Sequence, residues 1–179
     1  MVKKELHSHL KVTIIYFGFI SLFNFRLGFG LFLLWVGALL GTFLLDLDHI
    51  LFGLDPSNKT WWAEKFRFLW QKKDFKEAIC HLVETHLEHN RLIFHSVLFQ
   101  PILLFLAFFV LTSTGSLCGS GLVMSMNLHL LKDEWECFLE DRDINWLFWP
   151  IKRKIDKKGQ KIYLLAVTFV FFLLSLFLI

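Results

Sequence analysis

Three short motifs place acids and imidazoles at spacings that suit metal chemistry. His129 and Asp133, in His-Leu-Leu-Lys-Asp, are four residues apart, so on a helix they project from one face and can hold one or two ions together. Asp46 and His49 are three apart and share a face too, whereas Asp48 points elsewhere unless the helix has ended. Arg91 and His95 are again four apart. Imidazole and carboxylate are the ligands expected for zinc, with manganese or iron as alternatives, and an oxygen-rich share favours hydrolytic over purely structural metal. The pattern predicts that Asp46, His49, His95, His129 and Asp133 bind one or more divalent ions that activate water. Asp48 or Glu88 would orient that water or take its proton, and Arg91 would neutralise the charge developing on a phosphate.

These residues need elements to hold them, and the composition says what kind. The chain has 179 residues, 55% hydrophobic and 20% charged, with 22 Phe and 7 Trp, more apolar surface than one small water-soluble domain can hide. Disorder is excluded. The apolar residues fall in long blocks free of acids and, apart from Arg26, of bases. They predict one all-α integral membrane domain over 1–179, with about five (four to five) segments near 12–26, 28–45, 92–112, 116–131 and 162–179 and cytoplasmic loops 46–91 and 132–161. Thr112 to Ser116 and Gly119 to Gly121 mark the turn inside the third block.

An inside amino terminus puts Lys3, Lys4 and Lys11, seven bases of the first loop and eight of the second on the cytoplasmic side, 18 of 19 in all. Only Arg26 falls outside. That asymmetry predicts a multi-pass protein of the inner (plasma) membrane, amino terminus in and carboxyl terminus out. No small-residue cleavage site follows the first block, so it reads as an uncleaved anchor. In the first loop, Trp61, Trp62, Phe66, Leu69 and Trp70 recur at helical spacing among Lys65, Arg67, Lys72 and Lys73, predicting an interfacial amphipathic helix.

With that topology all eight histidines and all sixteen acids lie on the cytoplasmic side or within about a turn of it. Asp46, Asp48 and His49 close the second segment, His95 lies a turn into the third, and His129 a turn from the end of the fourth. A helix over Cys80 to Asn90 would add His81, Glu84 and Glu88 on one stripe and His86 and His89 on another, either completing a metal site or forming a solvated face. His7 and His9 precede the first segment and read equally as ligands or as tail residues.

The helix-end motifs resemble a known family. Gly41 to Ile50 (Gly-Thr-Phe-Leu-Leu-Asp-Leu-Asp-His-Ile) resembles its Gly-x-x-x-Pro-Asp-x-Asp-His signature; Arg91 to Ser96 resembles its His-Arg-x-x-x-His-Ser, and His129 to Asp133 its His-x-x-x-Asp, with Trp149-Pro150 like its closing Trp-Pro. The family is the YdjM-like, so-called LexA-binding, inner-membrane-bound metal-dependent hydrolases, and the likeness spans about residues 5 to 155 in the same order. Leu45 stands where the family has Pro, and Asn90 where a His precedes the Arg, so the resemblance implies that His89 substitutes as a ligand. Members are remotely similar to the phospholipase C and P1 nuclease group of zinc phosphodiesterases, which implies His9 or His7 as an amino-terminal ligand.

The expected function is a membrane-bound hydrolase of a phosphoester or lipid-linked substrate, with membrane lipid as its partner. Two other classes compete. A membrane di-iron oxygenase would carry repeated His-x-x-His-His boxes, and none is present. A metal-stabilised scaffold or interaction protein would use the same pairs as links between helix ends. Gly28-Phe29-Gly30 has no P-loop Lys after it, no nucleic-acid motif is present, and Ser96 beside His95 makes no nucleophilic pair, because adjacent residues on a helix face apart. Cys80, Cys118 and Cys137 are too far apart in sequence to suggest a disulfide framework or thiolate zinc site.

Overall fold

The computed structural model describes residues 2–23, 28–85, 88–89 and 91–179. Among the described residues every regular element is helical. The chain runs α1 (Val2–Phe23), α2 (Phe29–Leu44), α3 (Leu47–Leu54), α4 (Trp61–Gln71), α5 (Phe75–Glu84), α6 (Phe99–Phe109) with a π-helical end (Val110–Thr114), α7 (Leu117–Leu139), a 3-10 helix (Ile144–Ile151) and α8 (Lys157–Ser175).

The central pair is α2 against α7, and small residues make it possible. A Cβ on Gly41 would stand 2.1 Å from Ser125 Oγ, and one on Gly121 would stand 2.1 Å from the Leu34 carbonyl oxygen, so the two backbones touch. Polar side chains staple the neighbours to this pair. Thr42 Oγ1 donates to the Ala38 carbonyl and is therefore the acceptor for Thr13 Oγ1 of α1, 2.9 Å away. Tyr16 of α1 meets Ser175 of α8 at 2.7 Å, and Trp135 of α7 donates to Thr168 of α8. Apolar packing fills between: Phe17, Leu34, Met124 and Phe171 join α1, α2, α7 and α8, while Leu103, Leu130, Leu147 and Leu164 join α6, α7, the 3-10 helix and α8.

The outer surface of the same helices is apolar. Ile15, Phe32, Phe105 and Phe169 are each more than half exposed, an arrangement that suits hydrocarbon better than water. Among the described residues, two helical runs are long and apolar enough to cross a membrane, Phe29–Leu54 (α2 with α3) and Lys157–Leu178 (α8 with its 3-10 end). That is fewer than the five segments expected. The charges and histidines of its first half set α1 apart from an ordinary span; α6 is short, at 11 residues before the π turn; and α7 carries Ser120, Ser125, Asn127 and His129 turned inward.

Three boundaries differ from expectation. Residues 93–98 are bends and turns, not the start of a helix, because Pro101 in the first turn of α6 would clash with a helical carbonyl four residues earlier. The helix of the first loop does form as α4, but Trp62, Ala63 and Phe66 are buried against Ala78 and Leu82 of α5, so its apolar face packs on protein, leaving Trp61 and Phe68 exposed. Each large side chain buried there contributes about 1.5–3 kcal/mol. Helix α5 ends at Glu84 rather than running to residue 90, and α1 begins by Val2, which makes His7 and His9 helical rather than tail residues. Arg26, His86 and Asn90 lie outside the described residues.

Candidate metal centre

The close approach of α2 and α7 fixes the chemistry of one histidine. His129 Nδ1 lies 2.6 Å from the carbonyl oxygen of Thr42, which can only accept, so in the neutral ring Nδ1 carries the proton and Nε2 keeps the lone pair. Around that nitrogen stand Asp133 Oδ2 at 3.2 Å, from the next turn of α7, and Asp46 Oδ1 at 3.5 Å, from the break between α2 and α3. His95, in the irregular 91–98 stretch, places Nε2 3.8 Å from Asp133 Oδ2. Helix α1 delivers His9, whose ring stacks on His129 at 3.9 Å and whose Nε2 is 3.3 Å from Asp133 Oδ1.

Two overlapping donor sets result, His9 with His129 and Asp133, and Asp46 with His95 and His129, each with its ligand atoms within 4.8 Å of one another. Two ligands about 2.1 Å from a tetrahedral zinc stand about 3.4 Å apart. The separations of 3.2, 3.3, 3.5 and 3.8 Å bracket that value. His95 is only 3% exposed, and neither of its nitrogens makes a hydrogen bond. A buried unsatisfied polar group costs about 1–3 kcal/mol, a penalty that ligation removes. The donors therefore fit a divalent ion.

A second layer orients the first. Asp48 Oδ2 accepts from the Phe94 N–H at 2.6 Å and lies 3.7 Å from His95 Nδ1, which ties the irregular stretch to α3. Asp48 is 3% exposed, so it supports His95 from behind instead of facing open space. Nearby, Thr85 Oγ1 donates to the His81 carbonyl and so accepts from His89 Nε2 at 3.1 Å. His89 Nδ1 is then the acceptor for His49 Nδ1–H at 2.7 Å, which leaves the lone pair of His49 on Nε2, with its ring 5.2 Å from that of His95. His89, clamped at 3.8 Å against the Trp62 ring, uses both nitrogens in this relay and acts on His49.

The remaining expected residues lie to one side. Glu88 and Arg91 line a pocket of about 410 Å³ with Lys59, Asn58 and Phe52, and Glu88 accepts from Trp61 Nε1. Phe52 follows His49 by one turn of α3, so this pocket adjoins the histidines without sharing the two donor sets. His81 is buried with Nε2 3.1 Å from the Trp62 carbonyl, and Glu84 and His7 are exposed. Three contributors escaped sequence reasoning, the Thr42 carbonyl, Thr85 and Lys132, while Trp149 of the Trp-Pro motif donates its Nε1 to the Leu92 carbonyl and pins the 91–98 stretch. Lys132 alone had a signal, standing inside His-Leu-Leu-Lys-Asp; its Nζ is 3.3 Å from His9 Nε2 and 3.4 Å from Asp133 Oδ1, and it pairs with Glu136.

Beyond the centre, Asp143 anchors the connection from α7 to α8. Partial burial alone would raise its carboxyl, but hydrogen bonds from the side chain and N–H of Asn145 and from Gln160, with Lys157 close by, hold it below the ordinary carboxylate range. No family model, no curated protein and no solved structure matches this chain.

Proposed function

We propose that this chain is a membrane-bound, metal-dependent hydrolase of a phosphoester or lipid-linked substrate at the cytoplasmic face of the inner membrane. The observation that carries the reading is the convergence of His9, Asp46, His95, His129 and Asp133, from four separate parts of the chain, at separations suited to zinc-type coordination. Support also comes from the likeness of the three motifs to the YdjM-like hydrolases and from the two apolar helical runs. The positive charge on the loops favours a multi-pass arrangement with the amino terminus inside.

His9, His129 and Asp133, with Asp46 and His95, would hold the ion. A divalent ion there supplies Lewis-acid chemistry, polarising a phosphoryl oxygen and acidifying water. The protein's part is to fix the donors: the Thr42 carbonyl sets the His129 tautomer, Asp48 aims His95, and the His89 relay presents Nε2 of His49. Arg91 and Lys59 give the adjoining pocket a positive lining against which a phosphate or its leaving group can rest, and Glu88 is the carboxylate placed there to take a proton.

Elemental analysis of the detergent-purified protein, beside the double variant His129→Ala, Asp133→Ala, tests the reading. Near-stoichiometric zinc, manganese or iron in the wild type, absent from the variant, is the expected result, together with phosphoester hydrolysis that the variant loses. A protein that takes up no metal when each ion is supplied would overturn the hydrolase reading and leave the cluster as a network linking helix ends.

A further inference from the structure

Residues 152–161 hold six bases against one acid, a net charge of +5 within ten residues at the foot of α8. The acids of the connection from α7 are already engaged. Glu140 pairs with Arg142 at 2.6 Å and Asp141 with Lys157 at 3.2 Å. Asp143 accepts from Asn145 and Gln160, and Asp156 caps α8 by accepting from the Gly159 N–H at 3.0 Å. The other five bases, Lys152, Arg153, Lys154, Lys158 and Lys161, are exposed, and among the described residues they form no ion pair.

The backbone that carries these charges is tied down. Ile155 donates its N–H to Asn145 Oδ1 at 2.7 Å, and its carbonyl accepts from the side-chain amides of Asn145 and Gln160, so the peptide next to Lys154 is bonded to the first turn of α8. Along α8, positions 158, 162, 165, 169, 172 and 176 follow at steps of four and three and share one face. The last five of them, Ile162, Leu165, Phe169, Phe172 and Leu176, are each more than half exposed. On a helix long enough to cross a membrane, an outward apolar stripe of that length is the side that hydrocarbon covers. Lys158 opens the same stripe one turn, about 6 Å, before Ile162, and Lys161 stands directly before Ile162. Both ammonium groups therefore lie where hydrocarbon gives way to head groups, on the lipid-facing side of the helix.

We propose that this basic foot of α8 binds the phosphate head groups of anionic phospholipids in the adjoining leaflet. Two features together name the occupant: a charge opposite to that of phosphate, and a position at head-group level on a face that hydrocarbon covers. One basic residue at an anionic membrane surface is worth about fivefold in affinity, and five lie unpaired here. The proposal rests on α8 crossing a membrane and is independent of the hydrolase reading.

The test places the photocrosslinker p-benzoylphenylalanine at Ile162, or at Leu176 near the opposite end of the same stripe, in the full chain reconstituted into vesicles of equal parts phosphatidylglycerol and phosphatidylcholine. Mass spectrometry of the captured lipid should find phosphatidylglycerol in at least about fivefold excess at Ile162 and near parity at Leu176. High salt should shrink the excess, because exposed charges are screened. The triple variant Lys154→Gln, Lys158→Gln, Lys161→Gln should bring the Ile162 ratio close to parity, with the metal content of the wild type. Parity at Ile162 without those three changes, or the same excess at both positions, would overturn the proposal whether or not the triple variant folds. Capture of no lipid at either position would overturn it together with the membrane placement of α8. An excess confined to Ile162 in a protein that hydrolyses no phosphoester would sustain it and sink the hydrolase reading alone.

Discussion

At the scale of single residues, the protein assigns each imidazole a task through the group on its other nitrogen. His129 is set by a hydrogen bond to a carbonyl and His49 by the His89 and Thr85 relay, while Asp48 stands 3.7 Å from His95 Nδ1 as a nearby charge. Carboxylates behind a ligand commonly matter nearly as much as the ligand. Asp48→Asn should weaken metal affinity about 10- to 100-fold, read by competition against a chromophoric chelator, with little loss of fold. Of this scheme, the ligand types were legible from His129, Asp133, Asp46 and His95, because an ionisable group inside an apolar block needs a partner. The supporting layer was not. Backbone carbonyls such as that of Thr42 carry no signature in a sequence, and the Thr85 to His49 relay joins residues with nothing but proximity in common.

At the scale of elements, the lesson lies in where helices stop. Spacing alone placed Arg91 and His95 on one helical face, yet Pro101 keeps α6 from starting before Leu98, and a chain without helical phase sets Arg91 in the side pocket and His95 beside Asp133. Spacing did succeed at His129 and Asp133, which share an unbroken stretch of α7. The touching backbones of α2 and α7 make a second element-scale demand. Gly121→Leu would force them apart, at a cost of about 1–3 kcal/mol or more, and the displacement would carry Thr42 away from His129. A lower melting temperature together with reduced metal occupancy is the expected outcome; stability lost with full occupancy would separate packing from the centre. The link from α7 to α8 has its own dependence on acid. Because Asp143 is held below the usual carboxylate range in the folded chain, its contribution is complete above about pH 4 and is lost as pH falls below that, when protonation removes the acceptor for Asn145 and Gln160. Asp143→Asn should show a shallower acid limb in a plot of melting temperature against pH.

At the scale of the whole molecule, a four-helix core of α1, α2, α7 and α8 carries the ligands at one end, while α3, α4 and α5 pack as a separate small cap around Trp62 and Phe66. The all-helical class was legible from the apolar blocks, but their length overstated how many helices qualify as spans, since α7 uses its polar residues to face α2 and α1 mixes charge with apolar sequence. The stretch 91–98 is where cap and core meet. Its amides are satisfied from far away in sequence: Phe94 N–H by Asp48 of α3 and Val97 N–H by the Leu147 carbonyl of the 3-10 helix. In hydrogen–deuterium exchange these two positions should therefore be slow although no helix contains them, and they should become fast together when either of the two contributing parts lets go. A handful of residues that look like a loop thus serve as a latch, and their exchange rate reports whether the entire assembly is closed.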